Sequence, residues 1–129
     1  MNILITSEFY YPNIGGAEKV AQIIAEGLVK KGHLVTVATT YLVDRKLDVL
    51  GGVKIEEFDI TGNAAKQIQE NKKGDIKRYQ ELLLDTKFDV LFQYAAQTWH
   101  TDIAFKVLDK ITAKKILVPC GFSGLTTFL

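Results

Sequence analysis

The chain has 129 residues, 47% of them hydrophobic and 24% charged, and a formal net charge of +1. This is the composition of a globular protein long enough for one domain that buries about two thirds of its unfolded surface. The balanced charge excludes the basic footprint of a nucleic-acid binder, and the single cysteine, Cys120, excludes an internal disulfide. No apolar run approaches the ~20 residues of a membrane-spanning helix, and residues 1–6 lack the layout of a secretory signal. A cytoplasmic, reducing setting is the expectation.

Residues 2–6 read as a buried strand. After a long loop, residues 17–31 carry Ala17, Val20, Ala21, Ile24 and Leu28 at helical spacing, which predicts a helix with that stripe inward. Lys30 and Lys31 suit its negative end, and Gly32 supplies the left-handed residue that stops it. His33 beside it is expected to cap the last carbonyls. Residues 34–39 form a second apolar strand, and 53–58 a third with the alternation of a strand nearer an edge. Between them, residues 41–52 end in Gly51-Gly52 and are barely long enough for a parallel crossover, so the third strand's direction stays open. Residues 63–71 and 76–85 predict two short helices, and 88–94 a fourth strand. Thr98 is a candidate N-cap for a helix with Ala104, Val107, Leu108 and Ile111 inward. Residues 115–119 give a fifth strand.

Strands alternating with helices predict an α/β, Rossmann-like, doubly wound and mostly parallel five-stranded sheet of order 3-2-1-4-5. Its switch point lies between strands one and four, where ligands bind beyond the strand carboxyl ends. Residues 7–18, 94–100 and 120–124 are predicted to line that crevice.

Gly15 and Gly16 precede the first helix, where free N–H groups and the helix dipole favour an anion or polyol. They permit positive φ and close approach of a ligand; the plain alternative is a tight connecting turn. The turn lacks G-x-G-x-x-G and no Gly-Lys-Ser/Thr occurs, which argues against a dinucleotide site and a phosphate loop. Glu18, in the first helical turn, either interacts with the dipole or accepts hydrogen bonds from sugar-like hydroxyls. His100 falls on the crevice side of strand four, as a catalytic or substrate-binding group or as a structural partner beside Trp99. Cys120 reads as a small buried residue at a strand end. The run Lys66, Lys72, Lys73, Lys77 and Arg78 is a solvated face, or alternatively a peripheral contact with anionic lipid at the inner membrane face. No metal-ligand spacing is present.

Taken together, Tyr11-Pro12, Gly15-Gly16-Ala17-Glu18 and Gly32-His33-Leu34-Val35 after the first strand resemble the N-terminal domain of family-four, retaining glycosyltransferases of the GT-B fold. The resemblance covers residues 1–40, with weaker agreement at Asp89-Val90. It implies a hexosyltransferase-type enzyme that moves a sugar from a nucleotide-diphosphate sugar to a sugar, lipid-linked or polysaccharide acceptor, with no cofactor and no essential metal. Gly15 and Gly16 then lie near the donor phosphates, with Glu18, Tyr10, Tyr94 and Gln97 on the acceptor side. Many members carry a histidine after strand five; here that loop reads Val118-Pro119-Cys120-Gly121-Phe122, which leaves His100 as the catalytic candidate.

The family's donor-binding C-terminal domain lies outside these residues. Residues 1–129 are therefore expected to be one acceptor-side domain of a longer enzyme, inactive alone. The alternatives are a non-catalytic subunit that docks on a separate donor-binding chain, and a flavodoxin-like small-ligand domain.

Overall fold

The computed structural model describes residues 1–13 and 15–120. Five long strands form the expected parallel arrangement: β1 (Asn2–Thr6), β2 (Leu34–Thr40), β4 (Val53–Phe58), β7 (Val90–Tyr94) and β8 (Lys114–Val118). A sixth, β3 (Val49–Leu50), extends the sheet, whose order is β3-β4-β2-β1-β7-β8. Only β3 runs antiparallel, paired with β4. Gly51 and Gly52 have φ of 59° and 78°, the two positive values that a tight hairpin of this kind requires. Residues 41–52 thus end in a hairpin, and the direction left open by their length is settled: β4 is parallel to β2, with Val37 opposite Ile55.

Helix α1 (Gly16–Lys30) buries Ala21 and Ala25 against β1, β2 and β4, with Ile24, Leu28 and Val29 beside them. Ala17 and Val20, expected on that stripe, are exposed, and Ala17 borders a concavity beside Ser7 and Tyr94. The helix stops as its sequence predicts. Gly32 has φ 92°, its N–H bonds the Val29 carbonyl at 2.9 Å, and the His33 N–H bonds Leu28 at 3.1 Å. His33 therefore caps through its backbone, while its imidazole meets the Met1 amine at 2.9 Å.

Residues 63–71 are not helical. β5 (Ile60–Thr61) pairs antiparallel with β6 (Gln69–Glu70) across a turn in which Gly62 and Gln67 both take positive φ, a combination that interrupts a helix. Glu70 then accepts the N–H groups of Gly74 and Ile76, each at 2.9 Å, placing a carboxylate at the start of α2 (Asp75–Leu83). On this face the core gathers Phe58, Tyr79 and Trp99 around Leu4 and Leu91. Helix α3 (Trp99–Phe105) ends before Leu108, and a tight 3-10 turn (Leu108–Lys110) rotates that residue outward, whereas Ala104 and Ile111 are buried as expected. Among the described residues strand β8 is the last of the sheet, with Ile116 and Leu117 exposed. Among the described residues, no helix is long and apolar enough to cross a membrane.

Candidate functional site

The sheet order places β1 between β2 and β7, so the switch point falls where the first and fourth long strands were expected to part. The chain leaving β1 is tied down at once. Ser7 N–H bonds Ala38, and Ser7 Oγ donates to the Phe9 carbonyl at 2.8 Å. The Glu8 carbonyl accepts Thr40 N–H at 3.1 Å and Thr39 Oγ1 at 3.2 Å. Further along, the Arg45 guanidinium holds the carbonyls of Tyr11 at 2.8 Å and Tyr10 at 3.3 Å. Loops of this kind lose their freedom only when their backbone polar groups find partners.

The anchored loop, the first turn of α1 and the segment after β7 together enclose a concavity of about 70 Å³. Ser7, Glu8, Glu18, Tyr94 and Thr98 form its polar wall. The volume suits one or two ligand oxygens rather than a whole sugar ring, since a water occupies roughly 30 Å³. Burial, and then the neighbouring Glu18 charge, raise the Glu8 carboxyl above its ordinary 4.5. Thr98 is the N-cap of α3, yet its hydroxyl makes no capping bond and is buried without a partner among the described residues. The neighbouring Cys120 thiol, and then some desolvation, raise the Tyr94 phenol above its ordinary pKa. Cys120 is exposed rather than buried, at φ 59°.

Neither glycine at the helix start takes positive φ among the described residues; Gly15, the N-cap, is extended at φ −142°. What distinguishes them is space. A Cβ on Gly15 would meet the Glu18 carboxylate at 2.0 Å, the far end of a flexible side chain. A Cβ on Gly16 would meet nothing within 4 Å. Among the described residues no side-chain cap bond is made at the start of α1, which leaves its first N–H groups without an intrahelical partner.

The other predicted residues lie elsewhere. His100 is fully buried beneath the crevice, its Nδ1 sharing a 2.8 Å hydrogen bond with Thr6 Oγ1. Burial pushes its pKa down to about 3 against an opposing contribution from the Tyr94 backbone, so the ring is neutral. Its Nε2 lacks a well-formed hydrogen bond among the described residues. Tyr10 is likewise buried, packed in the core under α1, with its phenol pKa raised by burial and by Glu26. Gln97 is exposed, in left-handed conformation, and its carbonyl accepts Asn63 Nδ2 at 3.0 Å. Residues 121–124, also expected to line the crevice, lie outside the described residues. The sequence reading missed Arg45 as the residue that fixes the crevice loop. Thr98 fell inside the predicted crevice segment 94–100 but was read as the N-cap of α3, a bond its hydroxyl does not make.

The chain is similar to part of a sucrose-phosphate synthase. The solved Thermosynechococcus elongatus enzyme superposes on 99% of this chain with a TM-score of 0.62 at 10% sequence identity, a likeness of fold. Over 57 residues the chain is 47% identical to an uncharacterized 42.6 kDa protein in the cps region of Klebsiella pneumoniae, a match that takes in 43% of the chain. The chain spans 15% of that protein's length and 35% of the synthase chain. No family model matches it.

Proposed function

We propose that this chain is the acceptor-side, Rossmann-like half of a GT-B glycosyltransferase of the retaining, family-four type. The observation that carries the reading is the crevice at the switch point, which sets two carboxylates and an unpaired threonine hydroxyl beside an uncapped helix start. The fold likeness to the synthase supports it. The diphosphate of a nucleotide-sugar donor approaches the open side of Gly16, where N–H groups of the helix start stabilise its developing charge. Sugar hydroxyls donate to Glu8 and Glu18. His100, neutral and buried, positions Thr6 and α3 rather than touching substrate. Most of the donor site belongs to a second domain, and the cps (capsule) region of the relative favours a saccharide or lipid-linked saccharide acceptor.

The test is release of nucleoside diphosphate by the full-length protein from a panel of nucleotide-diphosphate hexoses. Turnover of one donor that Gly16→Val lowers at least about tenfold, a loss of ~1.4 kcal/mol in transition-state stabilisation, supports the reading. Turnover of none, or indifference to Gly16→Val, overturns it.

A second reading, a non-catalytic subunit that docks on a donor-binding chain, is favoured by the exposed Ile116 and Leu117 on β8, the last strand of the sheet among the described residues. The intact mass of the protein from its source cells separates the two. A mass near 14.4 kDa favours the subunit, and a mass larger by a whole domain favours the enzyme.

A further inference from the structure

A larger cavity, of about 540 Å³, opens at the same carboxyl edge of the sheet but two strands along from β1. Tyr41, the residue after β2, and Asp59, the residue after β4, stand on its walls with Asn71 and Lys72 from the segment before α2. Its size is that of a small-molecule site.

The lining selects the ligand chemistry. Three carboxylates, Glu57, Asp59 and Asp75, face two cations, Lys72 and Arg78, and most of that charge is already spent. Glu57 Oε2 accepts Arg45 Nη1 at 2.6 Å and Leu42 N–H at 3.0 Å. Asp75 accepts the Asp59 N–H at 2.7 Å and Arg78 Nε at 3.3 Å. Arg78 also donates to the Glu57 carbonyl and lies 4.1 Å from the Phe58 ring centre. A phosphorylated ligand would therefore meet one uncommitted cation, Lys72, against an acidic wall. A divalent cation finds no cage either: no group of three or more His, Cys, Asp or Glu side chains among the described residues could hold one.

What remains on offer is hydrogen-bond acceptance by oxygen atoms next to an aromatic side chain. Asn71 Nδ2 donates to Asp59 Oδ1 at 3.2 Å and to Thr61 Oγ1 at 3.3 Å, which fixes the Asp59 carboxylate and leaves its second oxygen to accept. Tyr41, 47% exposed, lines the same cavity, and its backbone N–H is bound to the Phe58 carbonyl. The second Asp59 oxygen and the Asn71 amide oxygen, both acceptors, beside an aromatic ring together match vicinal hydroxyls of a pyranose that donate and its C–H groups that stack.

The geometry points to this cavity as a binding site for a neutral saccharide, held by Asp59 and Asn71 and stacked on Tyr41. It extends the reading above to sugar units beyond those the crevice holds, and rests on that reading only for this continuity.

The experiment is saturation-transfer NMR on the full-length protein, with maltose, cellobiose and lactose as probes. Transfer to the ring C–H protons of at least one probe is expected, with affinity lowered about tenfold by Tyr41→Ala and by Asp59→Asn, the scale of one lost stacking or hydrogen-bonding group. Gly16→Val should leave that transfer unchanged. Tyr41 is exposed, so its variant is expected to fold even if Asp59→Asn does not. No transfer from any of the three sugars overturns the site. So does transfer that Gly16→Val removes while Tyr41→Ala does not, and that result would leave the crevice reading standing. Displacement of the sugar by inorganic phosphate also overturns it, since the cavity would then be an anion site.

Discussion

Arg45 and Glu57 meet at 2.6 Å with the arginine side chain only 2% exposed and the glutamate 26% exposed. The same guanidinium donates to the carbonyls of Thr40, Tyr10 and Tyr11, so one side chain ties the end of β2, strand β4 and the crevice loop together. Planar donors in a fixed fork suit this task, and lysine could not serve all of these acceptors.

Arg45→Ala is expected to destabilise the protein by about 2–4 kcal/mol. Removing one member of a buried pair strands the other partner's charge, and here three carbonyls lose their donor as well. The partial exposure of Glu57 keeps the figure below the upper range for such pairs. Urea unfolding of Arg45→Ala, and of Arg45→Lys as an intermediate case, measures it. A loss below about 0.5 kcal/mol would show that water replaces the guanidinium at little cost.

His100 sets a pH dependence whose sign is fixed by its environment. Its pKa falls from 6.5 to about 3 on folding, so the folded state holds the ring neutral. That contribution is fully present above pH 6.5 and is lost as the pH falls toward 3. Between these limits the unfolded chain binds the extra proton, and stability drops by at most ~1.4 kcal/mol per pH unit. Glu8 works in the opposite direction: its raised pKa contributes stability below 4.5 that is lost as the pH rises through the folded value. Urea midpoints at pH 7 and pH 5 should therefore differ less in His100→Asn than in the native protein. An unchanged difference would mean that other groups carry the acid sensitivity.

The sheet was legible in the sequence because its signals are local. Apolar runs such as Leu4-Ile5 and Val35–Val37, and the stop at Gly32, depend on neighbours a few residues away. Residues 63–71 misled for the same reason: their composition suits a helix, but Gly62 and Gln67 take left-handed conformations and Glu70 serves α2 instead. The crevice was legible as a set of loops, since topology alone brings 7–18 and 94–98 together. Which side chains face into it was not. Tyr10 and Tyr94 look alike in sequence, yet one is packed under α1 and the other stands on the crevice wall. Arg45 left no trace because its partners are mostly backbone carbonyls, which every sequence has.

The indole of Trp99 donates to Thr40 Oγ1 at 2.8 Å across 59 residues of chain, linking the start of α3 to the end of β2. Both residues are buried, and the ring also packs on Tyr79 with centroids 4.9 Å apart. Thr40→Val keeps the shape and removes the acceptor, leaving a buried N–H unsatisfied at a cost of about 1–3 kcal/mol. Thr40→Ser should recover most of it. Because Trp99 is the chain's one tryptophan, its fluorescence reports the change directly. Equal stability of the valine and serine variants would show that this bond contributes nothing beyond packing.

Gly16 and Gly62 make opposite demands on a substitution. A Cβ on Gly62, at φ 88°, would lie 2.1 Å from the Gln67 carbonyl oxygen, and backbone cannot swing aside as a side chain can. Gly62→Ala is therefore expected to cost about 2 kcal/mol or more, from the left-handed strain plus the clash. Gly16 has open space around it and no positive φ, so Gly16→Val should leave the melting temperature within about 2 °C of the native value. The fold does not need glycine at 16. If a ligand does, activity of the full-length enzyme falls in Gly16→Val while its melting curve stays in place, a separation that Gly62→Ala cannot produce. Parallel loss of activity and stability in Gly16→Val would assign this glycine to the fold rather than to the crevice.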